Sequence, residues 1–231
     1  MFGIEPVYIM VMIPALILAG VATLVTKLTF SKYAKRRALS GVTGAEAAQR
    51  LLTSQGVRDV TIEQVQGFLS DHYDPRTKTL RLSPDVYGSN SLSAIGVACH
   101  EAGHALQHAG SYAPLVLRTT LVPVAQFGSY GSYILILLGS FIASLGLVKI
   151  GIVLFSVTVF FTLVTLPVEW NASARAKLLM VSSGIVTRTE QKMASSVLNA
   201  AFLTYLAAAL TALLQLLYYL MKSGLIGGRR N

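Results

Sequence analysis

Charge is what this chain has least of. Only 13% of its 231 residues are Asp, Glu, Lys or Arg, about half the share of an ordinary soluble domain. Hydrophobic residues make up 53%, so the deficit points to a lipid bilayer as solvent for much of the protein. Cysteine is almost absent as well. Cys99 is the only one, which excludes an intrachain disulfide. It is next to His100, about 100° around a helix, and so off the face that His100 uses; a buried structural thiol fits it better than a ligand or a nucleophile. A secretory leader is also lacking. The N-terminus carries Glu5 instead of a basic cluster, and its apolar run is too long for an h-region, so an uncleaved anchor is expected.

Acidic residues are scarce relative to basic ones, ten against nineteen, for a net charge of +9. Eleven of the nineteen Lys and Arg lie between Lys27 and Arg118, together with seven of the ten acids. Such a mixture reads as a soluble face beside an anionic membrane, not as a nucleic-acid footprint.

The charge-free runs mark the spans. Tyr8 to Phe30 is uncharged until Lys27, contains Pro14 as a kink, and is followed at once by Lys32, Lys35, Arg36 and Arg37. About 20 apolar residues suffice to cross a bilayer, and the basic cluster predicts that this end is cytoplasmic. From Thr119 to Val148 there is no charge, and Lys149 interrupts before a second uncharged run to Val168. Two spans are expected there, about 130–148 and 150–168, with a tight turn at Lys149. The segment 112–129, with Arg118, Pro123 and Gln126, reads as interfacial or re-entrant. Ala201 to Met221 is a fourth span, and Trp170, Tyr218 and Tyr219 read as interfacial belt residues.

Residues 40–110 are soluble in character. Thr43-Gly44-Ala45-Glu46 is a capping-box signal for a helix through Ala47, Ala48, Leu51 and Leu52 to a stop at Gly56. Val57, Val60, Ile62 and Val65 suggest a strand. Asp71-His72-Tyr73-Asp74-Pro75 reads as a turn, and Thr79 to Ser83 alternates as a strand does. A helix capped by Asn90 or Ser91 then runs to Gly110.

That helix carries the chemistry. His100 and His104 stand at i and i+4, one above the other, so both imidazoles can reach one cation. Glu101 lies beside the first, placed to take a proton from water activated by the metal. A catalytic zinc wants a third protein ligand. His108 repeats the spacing, but it is about 12 Å along the axis from His100, so packing or the rim of a cleft suits it better. The metzincin position six residues after His104 is Gly110. Glu169 remains, in Pro167-Val168-Glu169-Trp170-Asn171-Ala172-Ser173 at the end of a span, where a carboxylate is costly unless paired or metal-bound. Two crossings separate it from the histidines, which returns it to their side of the membrane, so a His2Glu site follows. The oxyanion needs a further donor; His72, Tyr73, Asn171 and Arg175 are candidates, with His72 better read as a turn residue and Asn171 and Arg175 open to a plain role at a helix start. Gly103 would let another backbone pack closely on the helix. The strand Leu80-Arg81-Leu82, if it lies at a sheet edge, could pair with an extended substrate.

Over nearly its whole length the chain resembles the YugP-type membrane zinc metallopeptidases of bacteria. The resemblance rests on Asp71 to Pro75, on Leu80 to Ser83, on His100-Glu101-Ala102-Gly103-His104-Ala105-Leu106-Gln107-His108 and on Pro167 to Ser173. More distantly the layout is similar to HtpX and the CaaX prenyl proteases. It implies His100, His104 and Glu169 as ligands of one Zn(2+) per chain and Glu101 as base. In the distant relatives Ala and Asp occupy the third and fourth positions after the Glu. Here Ala172 and Ser173 stand there, so another group is expected to orient the ligand histidine in place of that Asp.

The expectations are as follows. The fold is a mainly α integral membrane protein with about four transmembrane helices and a small α+β zincin-like (gluzincin) catalytic domain. The anchor and basic segment are 1–38, the soluble part 39–111, the interfacial segment and hairpin 112–168, the third-ligand helix and a soluble segment 169–200, and the last span and tail 201–231. The activity is that of a zinc metalloendopeptidase in the plasma (inner) membrane, multi-pass, its site on the cytoplasmic side. Its partners are a membrane protein or peptide substrate and the bilayer, with a homo-oligomer or a membrane protease complex allowed, and no nucleic acid. The rival class is a non-catalytic metal-binding scaffold or assembly factor. A transporter is disfavoured by the lack of charge within the spans.

Overall fold

The computed structural model describes residues 6–67 and 70–226. Four helices are long and apolar enough to cross a membrane: α1 (Pro6–Ala34), α5 (Ala113–Phe141), α6 (Leu145–Ser182) and α7 (Arg188–Lys222). Between α1 and α5 lie α2 (Gly44–Ser54), β1 (Thr61–Gln64), β2 (His72–Asp74), β3 (Thr79–Leu82), α3 (Pro84–Tyr87) and α4 (Leu92–Ala109). The chain divides into two compact units, and each long helix contributes residues to both.

The first unit comprises Ala22–Val116 and Pro167–Leu203. Its apolar core is built from the inward faces of α2, β3 and α4, with Leu51, Leu52, Leu80, Leu82, Ile95, Met180 and Ile185 fully buried. The amphipathic helix α2 starts on the expected capping box: Glu46 N donates to Thr43 Oγ1 at 3.3 Å and Thr43 N to Glu46 Oε2 at 2.8 Å, which satisfies two orphan donors at once. Ser91 caps α4, its Oγ accepting from Ala94 N, and the helix ends at Gly110. Burial of almost the whole of α4 from Leu92 to Gln107 fixes it as the rigid element of this unit; only Val97 and His100 of that stretch are less than buried.

The sheet has the order β1-β3-β2, with β1 parallel and β2 antiparallel to β3. Two expectations change here. His72 to Asp74 is a strand, and the turn lies one step later, at 75–78, where Asp74 Oδ1 accepts from Arg76 N at 3.0 Å and Lys78 adopts φ 51°. The strand Leu80-Arg81-Leu82 is central, not an edge. Both its sides are already hydrogen-bonded, so it cannot receive a substrate strand. Arg81 is also spoken for, held by Asp74 at 3.2 Å and Glu63 at 3.7 Å.

The second unit comprises the described parts of Met1–Val21, Leu117–Leu166 and Thr204–Asn231, and is wholly helical. From Ala113 on, the segment 112–129 is the first half of the continuous helix α5, not a separate piece before it. Pro123 removes one backbone donor and Arg118 lowers the local hydropathy, but neither stops the helix. The hairpin turn falls at Ile142–Ser144, where Ala143 takes a left-handed conformation (φ 54°). Lys149 belongs to α6. Glycines let α5 and α6 approach: a Cβ on Gly139 would lie 2.8 Å from Val148 N. Tyr218 and Tyr219 pack on the helices of this unit. Tyr218 is buried against Tyr8 (ring centroids 5.0 Å apart), and Tyr219 packs on Phe155 and accepts from Gln215 Nε2 at 2.8 Å.

Candidate metal centre

Helix α4 presents His100 and His104 with ring centroids 4.7 Å apart and planes at 83°. Opposite them, α6 presents Glu169, whose side chain is 2% exposed. Its Oε2 lies 3.1 Å from His100 Nε2 and 3.5 Å from His104 Nε2, and one ligand atom from each of the three residues falls within 4.8 Å of the others. Tetrahedral zinc with bonds of about 2.0–2.1 Å to N and O separates its ligand atoms by about 3.3 Å. The donor set, two nitrogens and one oxygen, and the observed separations both fit that ion. All of α5 and the first part of α6 lie between the histidines and Glu169 in sequence, and the carboxylate comes back to the histidines. Extending α5 over 113–129 lengthens the first of these helices without adding a third.

Close backbone approach makes the convergence possible. Gly103 stands between the two histidines, and a Cβ there would sit 2.6 Å from Ala172 O and 3.2 Å from Ala172 Cα. Only glycine lets α4 and α6 lie this near, as the sequence suggested.

Two side chains behind the histidines were missed in the sequence. Gln107 Nε2 donates to Val168 O at 2.8 Å and to Asn171 Oδ1 at 3.0 Å, which turns its Oε1 towards His104 Nδ1, 3.0 Å away. A backbone carbonyl can only accept, so the amide turns its oxygen to the ring: His104 donates from Nδ1, and Nε2 is the atom that faces Glu169. Ser173 Oγ lies 3.0 Å from His100 Nδ1. The residue in the place of the relatives' Asp thus makes the orienting contact itself, where a different group was expected. The signals were present as helical spacing: Gln107 follows His104 by three, and Ser173 follows Glu169 by four.

The remaining sequence candidates disperse. Asn171 accepts from Gln107 at 3.0 Å and from Arg175 Nε at 2.8 Å, which ties both to the side chain that supports His104. His72 is exposed, its Nδ1 2.7 Å from Ser70 O, and is not part of the cluster. The Tyr73 hydroxyl is 2.8 Å from His108 Nδ1; burial, with help from Asp59 and Asp74, pushes its pKa up to about 12. Glu101 is buried within the influence of His104. Burial opposes the His104 imidazolium, but the Glu169 hydrogen bond and the charges of Glu101 and Glu169 outweigh it and hold the pKa above its ordinary value. Cys99 is fully buried, and burial pushes its thiol up to about 12.

Four helices long and apolar enough to cross a membrane, with a largely buried cluster of two histidines and one carboxylate, are the features of a membrane metalloprotein. Comparison with known proteins makes the class particular. Residues 8–224 match the family described as "Putative neutral zinc metallopeptidase", and the chain belongs to that family. It is 50% identical over 214 residues, 93% of this chain and 95% of the relative, to "Putative membrane protease YugP" of Bacillus subtilis (strain 168). No solved structure matches the chain.

Proposed function

We propose that the chain is a membrane-embedded zinc endopeptidase of the gluzincin type that hydrolyses peptide bonds of membrane proteins or peptides at the cytoplasmic face. His100, His104 and Glu169 hold one zinc, and Glu101 is the general base. The observation that carries the reading is the convergence of His100 Nε2, His104 Nε2 and Glu169 Oε2, with both Nδ1 atoms engaged from behind by Ser173 and Gln107.

Zinc bound there supplies Lewis acidity, polarising a carbonyl and bringing the pKa of water towards neutrality. The chain's own residues do the rest. Glu101 adjoins His100 on the same rigid helix, and among the described residues no hydrogen bond ties up its carboxylate. It accepts the proton of the attacking water and returns it to the leaving amine nitrogen. Gln107 and Ser173, each on an Nδ1, would keep the two Nε2 atoms turned towards a metal held with Glu169. The basic cluster at the end of α1, Lys32 to Arg37, supports a cytoplasmic position by the positive-inside tendency.

Metal content of the purified chain tests the ligands. Glu169→Ala is expected to lose zinc and His108→Ala to keep it; the reverse pattern sinks the assignment. Glu101→Gln separates an enzyme from a scaffold. It should retain zinc and lose hydrolysis by about 10² to 10⁴, and unchanged hydrolysis would refute the reading.

A further inference from the structure

His108 continues the histidine face of α4 one turn beyond His104, yet takes no part in the metal cluster. It is half-buried, and its ring packs against Tyr73 of β2 with centroids 5.8 Å apart and planes at 52°. The Tyr73 hydroxyl lies 2.8 Å from Nδ1. With its pKa pushed up to about 12 by burial, the phenol keeps its proton. Among the described residues neither group has another hydrogen-bond partner, and we take the hydroxyl as the donor and Nδ1 as the acceptor. The neutral ring then carries its own hydrogen on Nε2.

Two neighbouring histidines on one helix face are thus set to opposite tautomers by their partners. Gln107 Oε1 fixes the hydrogen of His104 on Nδ1 and leaves Nε2 bare to bind a cation. Tyr73 does the converse to His108, whose Nε2–H becomes a donor and cannot be a ligand. Among the described residues nothing hydrogen-bonds to that Nε2–H. A donor one helical turn from His104, held by a half-buried phenol, suits an acceptor that arrives with the substrate.

We infer that the Tyr73–His108 pair is a substrate clamp: His108 Nε2–H binds a main-chain carbonyl of the peptide, and Tyr73 is the positioning residue that holds the ring in the donating tautomer. The inference rests on the peptidase reading above. One helical turn separates His108 from His104, about 6 Å along the axis, whereas an extended chain advances about 3.3 Å per residue. The carbonyl it reaches is therefore one or two residues from the scissile bond. A contact to the backbone reads an extended peptide without reading its side chains.

The test uses the zinc-loaded full chain in detergent and two probes, acetohydroxamate, which addresses the metal alone, and tri-alanine hydroxamate, which adds peptide carbonyls. His108→Ala and Tyr73→Phe should each weaken the peptide probe by between about two- and tenfold, leaving acetohydroxamate affinity and zinc content unchanged, while His108→Gln, which keeps a donor, recovers part of the loss. Ring ¹⁵N shifts should show His108 protonated on Nε2 alone in the wild type and a tautomer mixture in Tyr73→Phe, a change that a packing role would not produce. Equal weakening of both probes, or no effect on either, overturns the clamp and leaves the metallopeptidase reading standing; loss of zinc in His108→Ala overturns the clamp and counts against the ligand assignment as well. A wild-type chain that takes up no zinc overturns that reading, and the clamp with it.

Discussion

Gln107 faces His104 with its amide oxygen because its amide nitrogen is already committed twice, to Val168 O at 2.8 Å and Asn171 Oδ1 at 3.0 Å. One side chain therefore fixes a ligand tautomer and joins α4 to α6. Gln107→Ala is expected to lower zinc affinity about 10- to 100-fold, the usual effect of removing a group that orients a metal-binding histidine. Gln107→Glu is the sharper variant. Its carboxylate can accept from His104, but its second oxygen would meet Val168 O and Asn171 Oδ1, acceptor against acceptor. It should bind zinc no better than the alanine variant despite its shape and charge. Competition against a chromophoric chelator measures both.

Gly103 and Ala172 set the separation of the two ligand-bearing helices. In Gly103→Ala the new Cβ meets backbone, not a flexible side-chain tip, with Ala172 O at 2.6 Å. Overpacking of this kind costs about 1–3 kcal/mol, and the strain falls between the ligands, so zinc should be lost along with stability. Gly96→Ala is the matched control on the same helix. Its Cβ would lie 3.3 Å from Ala194 O, a contact that a small shift relieves, and it should retain the metal. Melting temperature and metal content, measured together, separate the two.

The sequence made legible whatever depends on periodicity and caps. The capping box of α2, the extent of α4 and the number of long apolar helices follow from the sequence, although the first half of α5 reads there as a piece apart from its span. So does the meeting of Glu169 with the two histidines, because parity of crossings is insensitive to where a helix begins. What was not legible depended on partners distant in the chain. The central place of β3 is decided by β1 and β2 pairing on either side of it, and nothing in Leu80-Arg81-Leu82 announces that. Asp71 to Pro75 holds turn-forming residues, yet pairing with β3 extends His72 to Asp74 and defers the bend by a step. Lys149 was given the weight of a turn signal because it is the one charge in a long apolar stretch, whereas the chain bends at Ala143 and its neighbours, whose composition is unremarkable for a span.

Ser173 is the residue on which the distant relatives and this chain differ, and the contact survives the difference. Its hydroxyl reaches His100 Nδ1 at 3.0 Å. A neutral acceptor holds the ring less firmly than an ionised one. Ser173→Ala should lower zinc affinity, and by less than Gln107→Ala, because His100 is partly exposed and water can replace the hydroxyl. Ser173→Asp should raise affinity above the wild type, since a carboxylate makes the imidazole a more basic ligand. An aspartate variant weaker than alanine would show that the packing of α4 against α6 has no room for the extra atoms.

Cys99 adjoins a candidate ligand and is chemically silent. It is fully buried, and its thiol is pushed up to about 12 by burial. Iodoacetamide at pH 8 should leave it unmodified in the folded protein and alkylate it once denaturant is added; mass spectrometry reads the difference. The pH dependence has a definite sign. The folded state keeps the thiol proton up to about 12, while the unfolded chain releases it near the ordinary value of 9.0. Between these values the folded state binds more protons, so stability falls as pH rises, by up to about 1.4 kcal/mol per pH unit from this group. Below pH 9 the contribution is fully present. Cys99→Ala removes the titration, so its stability should decline less steeply than that of the wild type above pH 9, with zinc content unaltered because the side chain points off the ligand face. A wild type and variant that lose stability in parallel across that range would place the alkaline transition on other groups.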